Sequence, residues 1–181
     1  MVYAGPNGSG KSTIRDIAGV ADGVPIDPDR IAREYPMTTD AAGAKAAREA
    51  VERFRAAVAS GVSVTLETTL SGKTVLRRMK AAKAAGYRVS LFYVSLLSPE
   101  DNIVRIAARV ATGGHYLPDG VVRRRVVASQ ENLPAALTIA EYAKVYDNSG
   151  PVHWHLLTVE HRRIVFEARL LPVWLELIPP R

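Results

Sequence analysis

The sequence predicts an α/β fold in which a mainly parallel sheet lies between layers of helix, a three-layer sandwich. Three observations carry that reading. Short runs rich in β-branched and aromatic residues alternate with stretches of helical period, the pattern of strand–helix–strand units that build a parallel sheet. A glycine-rich loop, Gly5-Pro6-Asn7-Gly8-Ser9-Gly10-Lys11-Ser12, stands between the first strand-like run and the first helix-like run. The chain has 181 residues, 48% hydrophobic and 23% charged, enough for one domain with a packed core.

The elements follow in order. Met1–Ala4 is a short apolar strand. A helix opens from the loop at Lys11 and runs to about Val20. Val24–Ile26 is a second short strand ending at Asp27, and "PDRIAREY" continues as a brief helix. From Asp40 to Ser60, Ala47, Ala50, Val51, Phe54, Ala57 and Val58 recur at helical spacing, and Gly61 can stop the helix. "VSVTLE", Val62–Glu67, is the third strand. "KTVLRRMKAAKAA" is a helix followed by Gly86, and "RVSLFYV", Arg88–Val94, is the clearest strand. Pro99–Ala111 and Asp119–Asn132 are helices, a separate piece follows Pro134, and "AKVYD", Ala143–Asp147, is the fifth strand. After "NSGP" the runs "VHWHLLTVE" and "IVFEARL" flank a polar turn at His161–Arg163, a β-hairpin, and the apolar tail "LPVWLELI" follows. Trp154, Trp174 and the leucines here are assigned to packing. Residues 1–150 are expected to form the nucleotide-binding domain, with 151–181 as a hairpin and tail packed on it.

Composition narrows the function classes. No run reaches 18 apolar residues, the length a spanning helix needs. The absence of cysteine excludes disulfides and thiolate metal sites. The glycine-rich loop occupies the place of an export-signal core, so a cytoplasmic location is expected. A net charge of +6 fits either a nucleic-acid surface or arginines gathered around a phosphorylated small molecule. The placement of the arginines favours the second, so neither nucleic acid nor membrane is an expected partner.

The loop satisfies G-x-x-x-x-G-K-[ST] in full. Its glycines let backbone N–H groups converge on phosphate, and the following helix points its positive end at the same place. A full match arises by chance in fewer than about one chain in a hundred of this length. The expected nucleotide set is Gly5, Asn7, Gly8, Ser9, Gly10, Lys11, Ser12 and Thr13, with Lys11 on the β- and γ-phosphates and the Ser12 hydroxyl on Mg²⁺. ATP and Mg²⁺ are therefore the expected cofactors. A second "GKT" at Gly72–Thr74 lacks the upstream glycine, since Glu67 stands there.

Carboxylates close two strands. Asp27 and Asp29 follow the second, where the ends of parallel strands form sites. Either could orient a substrate hydroxyl or take its proton, and either could cap the next helix. Glu67 and Thr68 close the third strand, where an acid could reach Mg²⁺ through water or bind substrate. Arg105, Arg109, His115, Arg123, Arg124 and Arg125 flank a flexible "TGGHYLP" turn. A hinged arginine-bearing segment, about 105–125, suits a lid that closes over transferring phosphate. Successive helical residues point about 100° apart, so one or two of the arginine trio can face the site. His115 reads as a phosphate or substrate contact. "YDNSG", Tyr146–Gly150, is either an adenine-wrapping loop or a plain turn.

With these motifs in order, the chain resembles the zeta-toxin-like P-loop NTPases, in particular their short bacterial group. The likeness runs through "AGPNGSGKST", "IDPDRIA", "LETTLSG", "RIAARVATGGHYLP", "VRRR" and "YDNSG". It implies a kinase-type core with a five-stranded parallel sheet and a helical lid. It implies an ATP-dependent kinase of the 3′-hydroxyl of UDP-N-acetylglucosamine, paired with an antitoxin protein. It places the base at Asp29 and a substrate-holding acid at Glu67. The first lid arginine maps to Arg109. The second falls near His115, so either His115 or one of the trio supplies that charge. The catalytic set is thus Lys11, Asp29, Arg109 and Arg124. The acceptor set is Asp27, Glu67, Thr68, His115 and Arg125. The competing reading is a P-loop ATPase or nucleotide-dependent binding module without small-molecule kinase activity.

Overall fold

The structure, a computed structural model, describes residues 1–19, 23–32, 34–35, 39–114 and 116–176, and for residues 29 and 39–42 it describes the backbone alone. The described strands are β1 (Val2–Ala4), β2 (Val24–Ile26), β3 (Val64–Thr68), β4 (Ser90–Ser95), β5 (Tyr142–Asp147), β6 (Trp154–Glu160) and β7 (Arg163–Glu167). They form one sheet in the order β2-β3-β1-β4-β5-β6-β7. The first five are mutually parallel, as expected. β6 and β7 add antiparallel to the β5 edge as the expected hairpin.

β1 has three residues, yet it lies in the interior of the sheet. Val2, Tyr3 and Ala4 pair with Leu66, Glu67 and Thr68 on one side and with Leu91, Phe92 and Tyr93 on the other. Pairing on both edges compensates for its length. Its side chains alternate between faces. Val2 and Ala4 join the main core with Phe54, Met79, Leu91, Tyr93, Leu133 and Leu156. Tyr3 points the other way, into a small cluster with Ile14 and Val94.

The helices are α1 (Lys11–Ala18), α2 (Pro28–Ala32), α3 (Thr39–Ala59), α4 (Lys73–Ala84), α5 (Pro99–Val110), α6 (Asp119–Ile139) and the single turn α7 (Val173–Glu176). The start of α5 is fixed locally. Ser98 and Asp101 form a reciprocal capping box, and Pro99 takes the first turn. α5 and α6 share a satellite core of Ile106, Val122 and Val126, backed by Ile103, Val110 and Leu117.

Several expectations require correction. α1 ends at Ala18, with Gly19 at its C-cap, short of the expected end near Val20, which itself lies outside the described residues. α6 runs unbroken through Pro134 to Ile139, where a separate piece was expected. An interior proline costs about 3 kcal/mol. Leu133, Leu137 and Ile139 are buried around it, and each such side chain contributes about 1.5–3 kcal/mol, so burial outweighs the break. Trp154 is 50% exposed and does not belong to the core. Trp174 does pack, with its ring centroid 6.0 Å from that of Tyr93. Tyr93 is fully buried beside Ser129, and burial pushes its phenol up to about 12.

The hairpin turn is tighter than expected, because Arg163 already belongs to β7. His161 and Arg162 take φ of 45° and 67°, the left-handed pair that a two-residue turn of the I′ kind requires. No described helix is long and apolar enough to cross a membrane.

Candidate active site

The glycine-rich loop lies between the carboxyl end of β1 and α1, and its shape explains its composition. Gly5, Gly8 and Gly10 take φ of 144°, 79° and 94°, values that side-chain-bearing residues rarely adopt. A Cβ on Gly5 would lie 2.0 Å from the Val94 carbonyl oxygen. One on Gly10 would lie 2.2 Å from Asn148 Nδ2 and 3.3 Å from His153 Nε2. The Lys11 ammonium folds over the loop and donates to the Gly5 and Pro6 carbonyls at 2.9 and 3.0 Å. Ser12 and Thr13 are exposed at the opening of α1.

Neighbouring elements clamp the loop. Asn102 on α5 donates through Nδ2 to the Asn7 carbonyl at 2.7 Å. Asn148, just past β5, donates to the Ser9 carbonyl at 2.8 Å. Arg105 on α5 donates in turn to the Asn148 carbonyl at 2.6 Å. Ser9 Oγ, Asn102 Oδ1 and Asp147 Oδ2 are buried around the loop without a hydrogen-bond partner, an uncommon state for buried polar atoms. Burial holds the His153 imidazole below its ordinary pKa, and the nearby Arg105 charge acts in the same direction. The "YDNSG" segment is thus more than a plain turn, because it shapes one wall of the loop. A glycine cradle that excludes any Cβ, a helix N-terminus and a lysine fit the phosphates of a nucleotide. The Ser12 hydroxyl is the group a magnesium ion on those phosphates would use.

The acidic side lies across β1. Asp27 immediately precedes α2, and its carbonyl accepts from Ile31 N at 2.9 Å, so it occupies the cap position with Pro28 after it. Asp29 lies in the first turn of α2, and its carboxylate falls outside the described residues. Glu67 is the penultimate residue of β3, and its Oε2 accepts from Arg15 Nη1 on α1 at 3.0 Å. The Thr68 hydroxyl accepts from Leu70 N at 3.1 Å, and the Thr68 carbonyl accepts from Gly5 N at 3.2 Å. Leu70 is fully buried with φ of 57°, a strained conformation beside the candidate acceptor side.

The lid arginines separate into distinct positions. Arg125 is half-buried, and its Nη1 donates to Asn7 Oδ1 at 3.0 Å. Arg123 pairs with Glu100 at 3.1 Å on the outer surface. Arg124 is exposed, with Nη1 3.8 Å from where a Gly120 Cβ would lie. Among the trio it is therefore Arg125, and not Arg124, that reaches the phosphate loop. Arg109 is exposed on the last turn of α5, where Gly114 N donates to its carbonyl at 2.8 Å. His115 falls outside the described residues. Sequence reasoning missed Arg15 and Asn102 as site neighbours, had Asn148 only within the "YDNSG" segment, and had Arg105 only as one of the arginines flanking the "TGGHYLP" turn.

Comparison with known proteins agrees with this fold. The zeta toxin family model matches residues 1–160. An uncharacterized protein of Haemophilus influenzae is 40% identical over 126 residues, 69% of this chain and 90% of its own length. A chain of the AvrRxo1-ORF1:-ORF2 crystal structure with ATP superposes with a TM-score of 0.75 at 16% identity, covering 100% of this chain. This chain spans 64% of that one. A chain from the PezAT chromosomal toxin–antitoxin system of Streptococcus pneumoniae gives a TM-score of 0.65 at 19% identity, over 97% of this chain and 74% of its own.

Proposed function

The chain belongs to the zeta toxin family, and from that premise we propose that it is an ATP-dependent phosphotransferase acting on a small-molecule hydroxyl, with UDP-N-acetylglucosamine as the acceptor. One observation carries the reading. The phosphate loop follows β1, and the acids at the ends of β3 and β2 stand one and two strands away at the same carboxyl edge of the parallel sheet, so donor and acceptor can meet there.

Lys11 leaves the Gly5 and Pro6 carbonyls for the β- and γ-phosphates when ATP enters. The loop amides hold the phosphate oxygens, and the Ser12 hydroxyl would hold a Mg²⁺ ion, which would supply charge neutralisation at the phosphates. Asp29 accepts the proton of the acceptor hydroxyl. The hydroxyl oxygen bonds to the γ-phosphorus as the bond to the ADP oxygen breaks, and ADP leaves. Arg125 turns from Asn7 toward the transferring group, with Arg109 supplying the second positive charge from the lid. Glu67, with Asp27 and Thr68 beside it, holds the acceptor. An antitoxin partner belongs to the same proposal, supported by the likeness to a chain of a toxin–antitoxin system.

The test is incubation with ATP, Mg²⁺ and a panel of UDP-sugars and hydroxylated small molecules, read by mass spectrometry. The expected product is UDP-N-acetylglucosamine bearing one added phosphate. ADP and free phosphate alone across the panel would establish the ATPase reading instead.

A further inference from the structure

Asn7 is the point where the phosphate loop meets both α5 and α6. It is buried, at 8% exposed. Its Oδ1 accepts from Arg125 Nη1 on α6 at 3.0 Å, and its carbonyl accepts from Asn102 Nδ2 on α5 at 2.7 Å. The next residue sits tight against α5: a Cβ on Gly8 would lie 3.0 Å from the Asn102 carbonyl oxygen and 3.3 Å from Ile106 Cγ1. Ile106 belongs to the small core that joins α5 to Val122 and Val126 of α6. Loop, α5 and α6 are therefore fixed to one another around this residue. The charge at Arg125 adds a second observation. Arg125 is half-buried, and among the described residues no carboxylate pairs with it, whereas Arg123 on the same helix is paired with Glu100 at 3.1 Å.

We infer that Asn7 is a positioning residue: its amide oxygen holds the Arg125 guanidinium beside the loop, in wait for the terminal phosphate of a nucleoside triphosphate. This rests on the proposed function for placing that phosphate at the loop. A guanidinium carries five N–H donors and no acceptor, and an amide oxygen carries no net charge. Asn7 therefore anchors Arg125 while leaving its positive charge uncompensated. That charge stays available to phosphate, which guanidinium grips with two parallel hydrogen bonds. A carboxylate at this position would close an ion pair and cancel the charge. A side chain without an oxygen would leave Arg125 free among its rotamers, and the cost of ordering it would fall on phosphate binding. Asn102 holds the Asn7 main chain, so the amide keeps its place when the arginine moves.

The test compares calorimetric affinities for ADP and for the non-hydrolysable triphosphate adenylyl imidodiphosphate, both with Mg²⁺. The proteins are wild type, Asn7→Ala, Arg125→Ala and the double variant. Wild type should prefer the triphosphate. That preference should fall about three- to tenfold in Asn7→Ala, the scale set by freeing one arginine side chain, and should fall further in Arg125→Ala. Adding Asn7→Ala to Arg125→Ala should change it by less than about twofold, because no arginine is left to position. A purely structural role would weaken both nucleotides alike and leave the preference where it was. Asn7→Ser repeats the comparison with a smaller change if Asn7→Ala binds neither nucleotide. The inference is overturned by a wild type without the preference, by an unchanged preference in Asn7→Ala, by equal falls with and without Arg125, or by loss of both nucleotides in both Asn7 variants. No acceptor is present, so a failure to phosphorylate UDP-N-acetylglucosamine would count against the proposed function alone.

Discussion

At Gly5 the backbone takes φ of 144° and the Val94 carbonyl oxygen stands 2.0 Å from where a Cβ would be. That oxygen belongs to β4, a strand interior to the sheet, so it cannot retreat without breaking the ladder. Gly5→Ala should therefore destabilise the fold by about 2–6 kcal/mol, since unfavourable φ and overpacking each cost of order 1–3 kcal/mol. A thermal melt checks this. At Gly72 an added Cβ would meet nothing within 4 Å, and φ is −124°, which any residue adopts, so Gly72→Ala serves as the neutral control. The contrast separates the working loop, Gly5–Ser12, from the partial match at Gly72–Thr74.

Which arginine of the trio faces the loop is decided by how α6 is seated. Val122 and Val126 pack into the satellite core, and that rotation turns Arg125 toward Asn7 while Arg123 and Arg124 face outward. Arg125→Ala should lower the transfer rate by about 10²-fold or more, the scale expected for an arginine on a transferring phosphoryl group. Arg124→Ala should stay within about threefold, and steady-state assays of the two variants check the assignment. The trio shows where the sequence stops being informative. Steps of about 100° state that the three diverge, but which one faces inward depends on packing against α5. The phosphate loop is legible because its chemistry is contained within eight consecutive residues, Gly5–Ser12. The contacts that shape it are not, because Arg15–Glu67 and Asn148–Ser9 join residues 52 and 139 positions apart. Pro134 misleads for a related reason: a local rule for helix breaking meets a long-range burial gain that exceeds it.

Over the whole molecule, the alternation of strands and helices is enough to give the parallel core, and the hairpin is legible from two strand-like runs about a polar turn. Its integration is less so. β6 sends Leu156, Leu157 and Val159 into the main core, and Trp174 and Leu175 of the tail join them. Each of these burials contributes about 1.5–3 kcal/mol, a large share of a domain's marginal stability. Ending the chain at Gly150 should therefore abolish cooperative thermal unfolding, as followed by circular dichroism. A cooperative melt within a few degrees of the full chain would show that the first 150 residues stand alone.

The central claim is that the two halves of the site, phosphate loop and acid-bearing strand ends, carry out phosphoryl transfer to a hydroxyl. The most direct test is single-turnover transfer from ATP to UDP-N-acetylglucosamine by wild type and Asp29→Asn, with ATP affinity measured alongside. Loss of a general base should slow transfer by about 10²–10⁴-fold while ATP affinity stays within about twofold. Transfer by Asp29→Asn at the wild-type rate would contradict the account.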